Sequence, residues 1–164
     1  MKRLAVAFSG PSNSGKTTII EKISKQLNNK LKIAIIKHDP KDKAKFDTDG
    51  KDSKRFFDSG NETIVVSPTK TTYFSHKSRD LDELIELFGE FDLLMVEGLK
   101  SWDLPRISVF RGEIDESYLD VSDAIAIDKS VDIARYNIPS NIMILDLNSV
   151  DEIIEWILKY AKRV

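Results

Sequence analysis

The run Gly10-Pro11-Ser12-Asn13-Ser14-Gly15-Lys16-Thr17-Thr18 fits G-x-x-x-x-G-K-[ST] at every fixed position. No other stretch constrains the fold as tightly, because the pattern works only between a buried strand and a helix. Leu4-Ala5-Val6-Ala7-Phe8 supplies the apolar strand ahead of it, and Thr17 to Leu27 behind it has the apolar spacing of a helix. Gly10 and Gly15 let the backbone curl so that successive N–H groups face one concavity, which suits an anion. The following helix adds the positive end of its dipole and its unpaired first-turn N–H groups. In that setting Lys16 reaches the β- and γ-phosphates of a nucleotide as a point charge, and the Thr17 hydroxyl is placed to ligate Mg²⁺.

The rest of the chain continues the alternation. Leu31 to Ile36 reads as a second strand, so the helix between the two strands makes a βαβ unit and implies parallel pairing. A polar loop from Lys37 to Gly50 follows, then a short helix that Asp52 or Ser53 caps and Gly60 ends. Thr63 to Val66 is a third strand, and Thr71 to Phe74 suggests a small β-extension near 71–76. Leu81, Leu84, Ile85 and Phe88 lie at helical spacing behind Asp80 as a cap. Phe91 to Val96 is an apolar run of the kind found in central parallel strands. Arg106–Phe110, Ala124–Ile127 and Ile142–Leu145 add strands, and Ile153, Ile154, Ile157 and Leu158 form the apolar face of a closing helix from Val150 to Lys162. The expected fold is α/β: one P-loop domain over residues 1–164, with a doubly wound, mostly parallel sheet, helices on both faces, and ligands at the strands' carboxyl ends.

Composition narrows the partners. With 41% hydrophobic residues in 164 the chain can fill a core, and the absence of cysteine removes disulfides and thiolate metal sites. Net charge is −2 with both signs spread along the chain, which leaves no electrostatic footprint for nucleic acid. The basic cluster Lys37 to Lys54 is itself interleaved with Asp39, Asp42, Asp47, Asp49 and Asp52 and reads as a solvated loop. Met1-Lys2-Arg3 is basic, yet Leu4 to Phe8 is too short for a signal-peptide core or a membrane span. The expectation is a cytoplasmic protein with no membrane partner.

Several further residues are candidates. Glu97 ends the apolar run Leu93-Leu94-Met95-Val96, where P-loop proteins carry an acid that holds or orients the Mg²⁺ shell; the competing reading is a surface acid paired with Lys100. Asp47 and Asp52 suit a switch-like contact to Mg²⁺ or the γ-phosphate, and equally suit turn chemistry or helix capping. His38 faces the ligand crevice without the partners a metal needs, so hydrogen bonding is its expected role, and His76 is expected on the surface. Asp128, ending its strand beside Lys129, can accept hydrogen bonds from the N1–H and N2 amine of guanine, which adenine does not offer; a plain strand-ending acid is the alternative. Trp102 and Tyr118 can stack on a base or pterin, although packing is the commoner fate of aromatics.

These residues taken together resemble the molybdopterin-guanine dinucleotide biosynthesis adaptor protein B family. The likeness runs through Gly10–Thr18, Lys37-His38, Asp47-Thr48-Asp49-Gly50-Lys51-Asp52-Ser53, Gly60, Val96-Glu97-Gly98-Leu99-Lys100, Pro105, Arg111 and Ala126-Ile127-Asp128. The resemblance implies a GTP-binding, weakly hydrolysing homodimer that partners the guanylyltransferase joining GMP to molybdopterin. By similarity, Gly10 to Thr18 would bind the GTP phosphates and Thr17, Asp47 and Glu97 would surround Mg²⁺, leaving Lys16, Asp47 and Glu97 as the candidates for catalysis. This chain departs from the family in having Asp39-Pro40-Lys41 where further histidines are common, and Asp49 where proline is usual. Two rival readings stand beside it: a small-molecule kinase using ATP, with Lys70 to Arg79 as its lid, and a binding module whose loop is vestigial.

Overall fold

The computed structural model describes residues 3–164. In chain order the elements are β1 (Leu4–Ser9), α1 (Lys16–Leu27), β2 (Ile33–Lys37), α2 (Asp52–Asp58), β3 (Thr63–Val66), β4 (Thr71–Phe74), α3 (Leu81–Phe88), β5 (Leu93–Glu97), β6 (Arg106–Phe110), β7 (Ala124–Ile127), β8 (Met143–Asp146), α4 (Val150–Tyr160) and β9 (Lys162–Arg163). They fall into two compact units, one made of residues up to 38 together with 88–164, the other of residues 39–87.

The first unit is a P-loop NTPase-type α/β fold. Its sheet has the order β2-β5-β1-β6-β7-β8, and every pairing along that path is parallel. The register brings the strands' carboxyl ends level: Lys37 lies opposite Glu97, Phe8 opposite Glu97, and Ser9 opposite Ser108. One face buries Val6, Phe8, Leu93, Met95, Ile107 and Val109 under Ile19, Ile20 and Ile23 of α1 and Ile153, Trp156 and Ile157 of α4. On the other face Phe110 and Ile125 pack with Leu119, from a 3₁₀ turn over Glu116–Val121, and with Ile114, Val131 and Ile142. Strands covered on both faces need apolar residues at every position, which is why Leu93-Leu94-Met95-Val96 and Ala124-Ile125-Ala126 do not alternate.

The closing helix differs from its expected form in two ways. Leu158 is 50% exposed, and Trp156, buried to 4%, takes the core position instead. The helix also stops at Tyr160, because Ala161 turns out at ψ 138 and Lys162–Arg163 become β9, antiparallel to Leu4–Ala5. β6 reaches only the Ala7–Ser9 half of that edge of β1, so β9 satisfies backbone groups left open on the other half. Ile157→Ala should therefore cost about 2–5 kcal/mol in a denaturant titration, whereas Leu158→Ala should stay within about 0.5 kcal/mol.

In the second unit the anticipated β-extension is a two-stranded antiparallel sheet of β3 and β4, with Thr63 opposite Phe74 and Val66 opposite Thr71. The Phe57 ring of α2 stacks on His76 at 3.8 Å and lies 5.9 Å from Phe74. His76 is exposed, as expected, but held. Beside it the Glu62 carboxylate accepts from the Tyr73 hydroxyl and the His76 N–H, which, with Ser75, holds its pKa down at about 2. Among the described residues no helix is long and apolar enough to cross a membrane.

Candidate functional site

The loop between β1 and α1 has the backbone its glycines promised. Gly10 stands at φ 131 and Gly15, the residue preceding α1, at φ 104; Asn13, a residue that tolerates the left-handed region, is at φ 64. A Cβ on Gly10 would lie 2.3 Å from the Val109 carbonyl oxygen, so the first glycine is required by the neighbouring strand β6 as much as by the turn. The Ser14 hydroxyl is buried and has no partner in the protein, an orphaned polar group turned into the loop. Such a group fits a site completed by an acceptor from outside the chain.

Lys16 holds its ammonium over the loop, donating to the carbonyl oxygens of Gly10 at 3.0 Å and Pro11 at 2.6 Å. Burial lowers its pKa from the ordinary lysine value; Glu97 opposes that shift and Lys37 adds to it. Thr17 Oγ1 donates to Glu97 Oε2 at 3.1 Å, and Lys37 Nζ lies 2.6 Å from Glu97 Oε1. Ser12, Asn13, Gly15, Lys16, Thr17, Thr18, Lys37 and Glu97 line one cleft. A hydroxyl and a carboxylate touching one another are the hard oxygen donors Mg²⁺ takes from protein, the remaining positions being filled by phosphates and water. Among the described residues no group of three or more His, Asp or Glu side chains forms an all-protein metal cage.

The Glu97 carboxylate thus pairs with Lys37 rather than Lys100, whose ammonium sits 3.3 Å above the Tyr118 ring. Tyr118 itself packs edge-on against Phe110. Sequence reasoning passed over Lys37 as a site residue. Lys37 and Glu97 end strands that pair in register, a neighbourhood that only the strand order reveals. His38 continues that ladder through its N–H to the Glu97 carbonyl, and its Cβ comes so near Gly98 that a Cβ there would meet it at 2.9 Å.

Asp128 directly follows β7; its Oδ1 accepts from the N–H and hydroxyl of Ser130 and its Oδ2 lies 3.5 Å from Arg111 Nε. The Ser130 hydroxyl first, then its N–H, hold the Asp128 carboxyl below the usual range, and Arg111 adds to this. Arg111 in turn packs on the phosphate loop: its Nε is 3.3 Å from where a Gly15 Cβ would stand. Asp47 and Asp52 belong to the second unit. There Asp47 Oδ1 accepts from the Thr48 N–H at 2.8 Å, and Asp52 opens α2, 3.6 Å from Arg55. The first unit therefore gathers Lys16, Thr17, Lys37 and Glu97, and Asp47 is not among them.

Residues 5–129 match the family model of molybdopterin guanine dinucleotide synthesis protein B. The chain is similar to the molybdopterin-guanine dinucleotide biosynthesis adapter protein of Haemophilus influenzae, at 27% identity over 93% of this chain and 86% of that one. It is also similar to the probable adapter protein of Bacillus subtilis, at 31% identity over 72% and 71%. The crystal structure of Bacillus subtilis MobB superposes with a TM-score of 0.74 and 26% identity, covering 94% of this chain and 98% of the other.

Proposed function

This chain belongs to the molybdopterin guanine dinucleotide synthesis protein B family, and from that premise we propose that it is a GTP-binding adaptor with weak, Mg²⁺-dependent GTPase activity. It acts, as a homodimer, beside the guanylyltransferase that joins GMP to molybdopterin. The observation that carries the reading is the loop Gly10–Thr18 with its orphaned Ser14 hydroxyl, together with the contact between Thr17 and Glu97. Backbone N–H groups of the loop and the first turn of α1 hold the β-phosphate, and Lys16 leaves its two loop carbonyls to meet the β- and γ-phosphates. Thr17 and Glu97 would hold Mg²⁺, which supplies charge neutralisation at the β- and γ-oxygens. Lys37, salt-bridged to Glu97 Oε1, leaves Oε2 of that carboxylate aimed at the Thr17 hydroxyl.

Hydrolysis is slow in this reading. Arg111, the guanidinium beside the loop, is tethered to Asp128, and P-loop GTPases that await a partner's arginine turn over at about 10⁻⁴ s⁻¹. Arg79 of the segment that a kinase would use as a lid donates instead to the Tyr73 hydroxyl and Ser75, which argues against the phosphoryl-transfer alternative. Asp128, steadied by Ser130 and Arg111, keeps free lone pairs for the guanine N1–H and N2 amine.

A calorimetric titration with GTP and then ATP, both with Mg²⁺, tests the assignment. GTP should bind at least about tenfold tighter, a difference of about 1.4 kcal/mol. Equal or ATP-favoured binding would take the base-reading role from Asp128 and bring the kinase reading forward.

A further inference from the structure

Arg106, the first residue of β6, is the largest of the fully buried side chains among the described residues, only 1% exposed. The strand beside it makes room: its register partner on β1 is Ala7, and the next residue on that face is Ser9. The guanidinium fills the space and divides its donors. Nη1 donates to Ser9 Oγ at 2.7 Å and to the Gly98 carbonyl at 3.0 Å, and Nη2 to the carbonyls of Leu99 at 2.9 Å and Trp102 at 3.1 Å. Each of these four partners is a neutral dipole; the Asp123 carboxylate, which favours the charge electrostatically, accepts from the Arg106 main-chain N–H at 2.8 Å instead.

What it joins is informative. Ser9 is the residue immediately before Gly10, and Gly98 is the residue immediately after Glu97. Gly98 and Leu99 both have positive φ, 95 and 51, and leucine adopts that region only where its surroundings over-determine it. The Arg106 fork bonds both of their carbonyls, while the Gly98 N–H donates to Phe8 of β1. We propose that Arg106 is the positioning residue of the site: by fastening the Gly98–Trp102 turn to the end of β1, it fixes Glu97 against Thr17 and so sets the Mg²⁺ dependence of nucleotide binding. The inference rests on the phosphate-site reading above. It requires arginine, since the compact ammonium of lysine does not span acceptors on two sides.

The experiment measures GTP affinity with Mg²⁺ and with EDTA for the wild type, Arg106→Lys and Ser9→Ala, with hydrogen exchange followed over Gly98–Trp102. In Arg106→Lys the gain in affinity that Mg²⁺ brings should shrink about ten- to a hundredfold, the usual loss when an outer partner of a metal site is removed, while exchange in the turn accelerates. Affinity in EDTA should stay within about threefold, because the loop N–H groups are untouched. Ser9→Ala, which deletes one acceptor, should reduce the same gain about two- to tenfold, and it alone decides the matter if Arg106→Lys does not fold. Equal losses with and without Mg²⁺, or an unchanged Mg²⁺ gain despite faster exchange, would overturn the positioning role. A wild type that binds GTP equally well in EDTA overturns this inference but leaves the phosphate loop standing; one that binds no nucleotide overturns both.

Discussion

Lys16→Ala should lose about one to two orders of magnitude in GTP affinity, since a charge-assisted hydrogen bond is worth about 1.5–3 kcal/mol and this ammonium serves the phosphates where charge is densest. The fold should survive. The bonds lost within the protein are those to Gly10 and Pro11, both inside one loop, so stability should change by no more than about 1 kcal/mol. Calorimetry and a denaturant titration on the same preparation separate the two effects. Wild-type affinity in the variant would sink the nucleotide assignment, and intact association with the guanylyltransferase despite lost affinity would favour the scaffolding alternative.

The second large effect falls on stability. Gly10→Ala should cost about 3 kcal/mol or more, because its new Cβ meets the Val109 carbonyl oxygen at 2.3 Å and the Val109 nitrogen at 3.2 Å, both backbone atoms of β6 that cannot turn aside. Gly112→Ala is the control. It also has positive φ, 75, but nothing lies within 4 Å of a Cβ there, so only the conformational term of about 1–2 kcal/mol applies. Similar denaturation midpoints for the two variants would show that the first glycine serves the turn alone. The expected difference means that the phosphate loop is tied to the sheet on its β6 side through backbone contact.

The segments that were legible in the sequence are those where local chemistry and burial agree. β6 and β7 lie where their apolar runs put them, because a parallel strand buried on both faces has little choice but such a run, and β3, β4 and α3 lie where β-branched runs and the Asp80 cap put them. The loop Gly10–Thr18 was legible for a different reason: its function in the chain depends on backbone angles that glycine alone adopts freely, so the requirement is written into residue type. The closing helix was legible as a helix and in most of its face, Ile153, Ile154 and Ile157, while Trp156 and Leu158 are both apolar and packing covers the first and exposes the second.

By itself, then, the sequence determined the strand–loop–helix that begins the fold, the α/β class and the identity of Lys16, Thr17 and Glu97 as a set worth testing. Tertiary structure alone decided what those residues touch. Lys37 rather than Lys100 pairs with Glu97 because parallel register brings together residues 60 apart in the chain. Arg111 reaches Gly15 and Asp128, Arg106 reaches Ser9 and Gly98, and β9 returns to β1, each across a separation at which residue type carries no signal. Local pattern reflects the period of one element, and a site made where several elements end depends on their order in the sheet, which is set by packing over the whole core.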